Sequence, residues 1–289
     1  MTYNHKLISD LAWSIESPCL LNETEYRDHR LLSDQWFEQQ MLATPELFSN
    51  QDKVPHEIQT YLSKMPYFKL GHYFENLIAY WLIIHPNFEI LEKNLIITSD
   101  KRTVGELDFI IKELSSGKII HLEVAVKFFL KLVHNSKANY FGPNLKDNLE
   151  LKFNKLFEKQ IELSNLDITK HELKDRNLTI DEHWVILKGK LYTHDDSLEN
   201  KHSWMSIKSF EDYNDSEHSQ WIILNKTHWL SEISNLDYNF LPNEIHNKES
   251  IIQQLNDKQN QRLFASLKLM TISKRKGYLL HLKTGKKER

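Results

Sequence analysis

Between Phe88 and Leu130 the sequence places three β-rich runs in close succession: FEILEKNLIIT (88 to 98), TVGELDFIIKE (103 to 113) and KIIHLEVAVKFFL (118 to 130). β-branched and aromatic residues dominate each, and only a few residues separate them, so they predict three strands in a mostly antiparallel arrangement. Ahead of them Leu70, Phe74, Leu77, Ile78 and Trp81 recur at helical spacing until HPN interrupts at 85 to 87. Behind them NYFGPN (139 to 144) reads as a turn cluster. Leu145, Leu149, Phe153, Leu156, Phe157 and Ile161 then mark one face of a long helix, with Pro143 and Asn144 suited to its start. HWVILKGKLY (183 to 192) predicts a fourth strand and SQWIIL (219 to 224) a fifth. Helix, three strands, helix, strand is an α/β order, and a helical crossover after a hairpin predicts a mixed central sheet flanked by helices.

The expected division is a helical N-terminal extension over 1–65, an α/β core over 66–192 and an α+β extension with a basic tail over 193–289. In the last of these, ESIIQQLNDKQNQ predicts a helix, and LFASLKLM with YLLHL a late strand pair.

The second and third strands carry acids where a clean apolar hairpin was available. If LSSG at 114 to 117 is a four-residue loop, Asp108 faces Glu123 across the pair. Alternation then puts Glu106 and Asp108 on one face, with Glu123, Ala125 and Lys127, and turns Leu107, Phe109, Leu122, Val124 and Val126 to the other. Like charges directly opposite in a sheet are destabilising, so something should compensate. A hard divalent cation is one answer: Mg²⁺ is held by one or two carboxylates, keeps several waters and leaves room for phosphate oxygens. A solvated hairpin face has the same alternation, and a loop of odd length would separate the two acids.

Those residues resemble the core of the PD-(D/E)xK nuclease-like superfamily, the restriction-endonuclease-like fold: GELD, then an apolar strand bearing Glu and Lys in HLEVAVKFF. LGHYFENLIAYWL, GELDF, HLEVAVKFFL and YFGPNLKDNL together are similar to an uncharacterised bacterial family within it. The resemblance implies a Mg²⁺-dependent (or Mn²⁺-dependent) nuclease acting on DNA, with Asp108 and Glu123 as metal ligands. Glu75, on the preceding helix, matches a helical acid that assists the metal, and Gln160, on the following helix, matches a glutamine near it. Lys127 departs from the pattern, because the motif lysine belongs two residues after the acid, where Ala125 stands. At ~3.3 Å per residue, four positions put Lys127 ~13 Å from Glu123 along a regular strand. A bulge would close the gap; otherwise the fold binds nucleic acid without cutting it. A non-catalytic nucleic-acid-binding module and a protein-interaction scaffold therefore stand as alternatives.

Charge supports a nucleic-acid partner only locally. The net charge is −3, yet residues 262 to 289 hold nine Lys or Arg against one acid, including Lys274, Arg275 and Lys276. Lys152 and Lys155 on the crossover helix are further phosphate-binding candidates, although Glu150, Glu158 and Glu162 are interspersed with them. Fifteen His and one Cys contain no HxxxH pair with a neighbouring acid and no thiolate cluster, and no GxGxxG, GxxxxGK[ST] or GxSxG occurs. The lone Cys19 asks nothing of an oxidising compartment, and the longest apolar stretch falls far short of the ~20 residues that span a bilayer. A cytoplasmic protein with no membrane partner is the expectation.

Overall fold

The computed structural model describes residues 3–21, 28–65, 69–134, 137–142, 148–195, 202–212, 221–224, 228–231, 245–253, 267–271 and 276–280. They form a mixed α/β fold with a mixed central sheet flanked by helices. Two compact units divide the chain: residues 10–127 with 150–189, and residues 1–9 with 128–149 and 190–289. No described helix is long and apolar enough to cross a membrane.

The first unit opens with α1 (Lys6–Glu16), whose first four residues are assigned to the other unit, followed by α2 (Asp34–Ala43), α3 (Leu47–Lys53), α4 (His56–Ser63) and α5 (Leu70–Ile84). Ser33 caps α2, its hydroxyl accepting from Trp36 N–H at 3.2 Å. With Leu70 half-buried, the expected stripe on α5 is buried from Phe74 onward, but so are Tyr73, Asn76, Ala79, Tyr80 and Leu82. The helix is therefore enclosed nearly all round rather than laid on a surface. Pro86 stops it: His85 N–H donates to Trp81 O at 2.9 Å, and His85 itself is already extended, as a residue before proline prefers.

β1 (Phe88–Ser99), β2 (Arg102–Glu113) and β3 (Ile119–His134) follow as the expected antiparallel meander. Asp100 and Lys101 close the first hairpin with φ of 48° and 64°, the paired left-handed residues of a two-residue turn. The second closes through residues 114–117, with Glu113 N–H donating to Lys118 O at 2.9 Å and Gly117 at φ 74°. That loop sets the register Phe109↔Leu122 through Lys112↔Ile119, the one that four loop residues require.

The crossover is not one long helix. Residues 143–147 lie outside the described set, and α6 (Leu149–Lys155) gives way to a π-helical turn (Leu156–Gln160) and a 3-10 turn (Ile161–Asn165) before α7 (Asp167–Asp175). β5 (Glu182–His194) then returns beside β3 in the same direction: Asp181 N–H donates to Ile119 O at 2.8 Å, and Gly189 lies against Lys127. Contact is so close that a Cβ on Gly189 would fall 1.8 Å from Lys127 O. Leu95, Ile97, Leu107, Ile110, Leu163 and Leu173 form a core cluster between this sheet and the crossover. Lys188, fully buried on β5, donates from Nζ to Ile15 O at 3.1 Å and to Ser17 O, and lies 3.6 Å from the centre of the Phe37 ring. It thereby ties the C-terminal carbonyls of α1 to the sheet.

In the second unit, β4 (Lys137–Phe141) pairs antiparallel with the end of β3, so Asn139, Tyr140 and Phe141 are strand, not the expected turn; their backbone groups complete the ladder at Leu130 to His134. The end of β5 pairs in parallel with β6 (Ser203–Met205), and α8 (Ile207–Asp212) follows. β7 (Trp221–Leu224), β8 (Ile245–His246), β9 (Leu267–Thr271) and β10 (Lys276–Leu280) complete the order β6-β10-β9-β7-β8. The late strand pair is antiparallel, as expected, and β10 runs parallel to β6. Residues 248–253 are helical, and the remainder of the predicted helix there lies outside the described residues.

Candidate metal centre

The β2–β3 ladder stops one step short of Asp108 and Glu123, and their side chains take over the backbone pairing. Val124 N–H donates to Asp108 Oδ2 at 2.9 Å, and Asp108 N–H donates to Glu123 Oε1 at 3.4 Å. Each carboxylate occupies the place of a partner-strand carbonyl. On the other edge of β2 the ladder to β1 omits both Asn94 and Asp108, and Asn94 has φ 55°. Leu107 and Ile110 share one core cluster although strict alternation would put them on opposite faces. The pleat therefore slips at Asp108, an irregularity of the kind that re-aims side chains beside functional sites. Only Glu106 remains on an exposed face, accepting from Asn94 Nδ2 at 2.7 Å.

Glu123 is fully buried beneath the crossover. Gln160, closing the π turn, donates from Nε2 to Glu123 Oε2 at 3.0 Å, and His121 Nε2 lies 3.0 Å from Oε1. His121 Nδ1 is 2.9 Å from Ser164 Oγ, which in turn is 2.9 Å from His183 Nε2. Burial first, then the Glu106 charge, pushes the Glu123 carboxyl up to about 7 against the hydrogen bonds it accepts. Asp108, half-buried, is raised well above the usual carboxylate range by desolvation and by the charge of Glu123, with Glu75 and Glu106 adding to it. Burial depresses the His121 imidazole to about 4, so the ring is neutral at pH 7. Glu123, His121 and Ser164 have the connectivity of a hydrolase triad, but Ser164 is 3% exposed and its hydroxyl is held between two imidazoles. A nucleophile needs access to substrate, and Ser164 has none.

Glu75 comes near the pair without joining it as a third ligand. Its Oε1 lies 3.8 Å from Lys93 Nζ, and its charge reaches Asp108. Among the described residues no three His, Cys, Asp or Glu side chains converge as a metal cluster. Lys93 is the cation on this side: Nζ donates to Asn76 Oδ1 and sits 5.7 Å from the Phe109 ring centre. Burial lowers its pKa while Glu75 and Asp108 raise it. Lys127 is half-buried on β3, Lys152 half-buried and Lys155 exposed on α6. Lys274 and Arg275 lie outside the described residues, as does the side chain of Lys276 at the start of β10. Sequence reasoning missed Lys93, whose approach depends on the β1–β2 register, and passed over His121, whose position two residues before Glu123 was a legible same-face signal.

A family model described as Domain of unknown function (DUF1853) matches residues 9–280. The chain belongs to the DUF1853 family. No curated protein and no solved structure matches it. In this DUF1853 member the donor set suits a hard cation such as Mg²⁺: two adjoining carboxyls, both shifted towards the neutral form by burial and Asp108 further by the Glu123 charge, which an ion would let ionise together. Remaining ligands would come from water or substrate oxygens.

Proposed function

We propose that this chain is a Mg²⁺-dependent phosphodiesterase acting on DNA, a divergent nuclease of the PD-(D/E)xK type. The observation that carries the reading is the abutment of Asp108 and Glu123, each bonded to the other's strand and both shifted towards protonation. Buried like-charged carboxyls have no structural advantage over a neutral pair, and they cluster where a cation is to be held. Bound there, Mg²⁺ would supply an activated water and charge stabilisation on a phosphodiester. Gln160 holds one Glu123 oxygen, so the carboxylate keeps one orientation. Lys93, restrained by Asn76 and Glu75, presents a positive charge to a phosphate oxygen, and Lys127 is a second candidate for that role. Lys152, Lys155 and the basic tail would track the backbone.

The test is cleavage of single-stranded and duplex DNA, and of RNA, with Mg²⁺, Mn²⁺ or chelator. Metal-dependent cleavage that disappears in both Asp108→Asn and Glu123→Gln supports the reading. The absence of both cleavage and saturable metal binding would end it. Ala125, standing where the motif has lysine, favours a second reading, a non-catalytic nucleic-acid-binding module. Salt-dependent DNA binding that survives Asp108→Ala, without cleavage, would select it.

A further inference from the structure

Behind the proposed metal ligands runs a buried series of side chains that leads from Glu123 to the rim of the fold. His121 is fully buried against Glu123, Ser164 is buried behind it, and His183 is half-buried at the outer end. The separations, 3.0 Å, 2.9 Å and 2.9 Å, are each short enough for a hydrogen bond. Two elements supply the outer members: Ser164 belongs to the 3-10 turn of the crossover and His183 to the start of β5.

Donor and acceptor accounting gives the series a direction. A carboxylate that holds a metal is ionised and only accepts, so His121 Nε2 must carry a proton. A neutral ring then has a bare Nδ1, which must accept, and Ser164 Oγ–H at 2.9 Å is placed to donate. The Ile161 carbonyl, 3.5 Å from the same hydroxyl, is a poorer acceptor for it. With the Ser164 proton committed, His183 Nε2 must bring its own and donate to Ser164 Oγ. Every proton points inward to Glu123.

We infer that His121, Ser164 and His183 are positioning residues, a hydrogen-bonded brace that fixes Glu123 Oε1 and leaves the carboxylate in the orientation a divalent cation needs. The inference rests on the metal-binding reading of Asp108 and Glu123. Such outer partners of a ligand orient it, and their loss commonly weakens metal affinity 10- to 100-fold. Gln160 on Oε2 and the brace on Oε1 divide the carboxylate between them.

Mn²⁺ titration followed by electron paramagnetic resonance tests it on the full chain, with folding checked by circular dichroism. Ser164→Ala and His183→Ala should each weaken Mn²⁺ binding roughly tenfold or more, and Ser164→Thr, which keeps the hydroxyl, should restore it. Folded variants that bind Mn²⁺ as the wild type does would overturn the brace and leave the metal site standing. A wild-type protein with no saturable Mn²⁺ binding would overturn both. Should Ser164→Ala not fold, ¹⁵N spectra of the imidazoles in the Mg²⁺-saturated wild type decide the matter: both rings must be Nε2–H tautomers, and an Nδ1–H tautomer at His121 would refute the inferred direction.

Discussion

Lys188 and the pair Asp108/Glu123 are charged groups taken out of water in the same unit, and their surroundings could hardly differ more. Lys188 meets two helix-end carbonyls and an aromatic face; burial lowers it only to about 8, so the ammonium stays charged at pH 7. Asp108 and Glu123 meet backbone and amide donors, but also one another, with Glu75 and Glu106 nearby, and both move towards the neutral form. A compensated buried charge is explained by the fold it holds together. An uncompensated one asks for a missing partner, and that contrast separates the structural lysine from the candidate site.

The contrast can be broken most severely at the acids. Asp108→Asn should lower metal-dependent cleavage by about 10²-fold or more while leaving the urea midpoint unchanged or higher; a loss of stability would place Asp108 with Lys188 as a structural charge. Lys188→Met should do the opposite, lowering stability by about 2–4 kcal/mol through the orphaned carbonyls of Ile15 and Ser17, with no direct effect on metal binding by the folded fraction, as calorimetry would show.

Next in size is a pH dependence. Glu123 has a folded pKa of about 7 against an ordinary value of 4.5, so the native state binds more protons than the unfolded chain between those values. Its share of stability is therefore complete below pH 4.5 and lost as pH rises towards 7, with Asp108 acting in the same direction. Saturating Mg²⁺ should flatten that fall, which thermal melts at pH 5 and pH 8 with and without the ion would reveal. The smallest effect is expected at Lys93. Lys93→Met should cost under about 1 kcal/mol yet reduce the salt slope of DNA binding by about one; an unchanged slope would remove Lys93 from the phosphate-binding set.

Local patterns made much of this architecture legible. The helix before Pro86, three strands and the four-residue loop follow from hydrophobic period and turn chemistry, and the loop length alone brings Asp108 opposite Glu123. NYF was misread because a Gly-Pro turn signal in YFGPN masked a strand that exists only through its pairing with β3. The crossover was misread as one helix, since a π turn and a 3-10 turn keep the same apolar residues inward and leave no mark in a helical pattern.

What the amino-acid order determined by itself is most of the elements, the hairpin register and two of the acids, because each depends on neighbours within a few residues. Only the folded chain decided that Glu123 would be sealed under the crossover, that Lys93 would stand near Asp108 and that His121, Ser164 and His183 would line up behind it. Most of those relations join residues well beyond one another's local stretch, His121 and Ser164 being 43 positions apart, and burial, which sets their protonation, belongs to the packed structure rather than to any stretch of sequence.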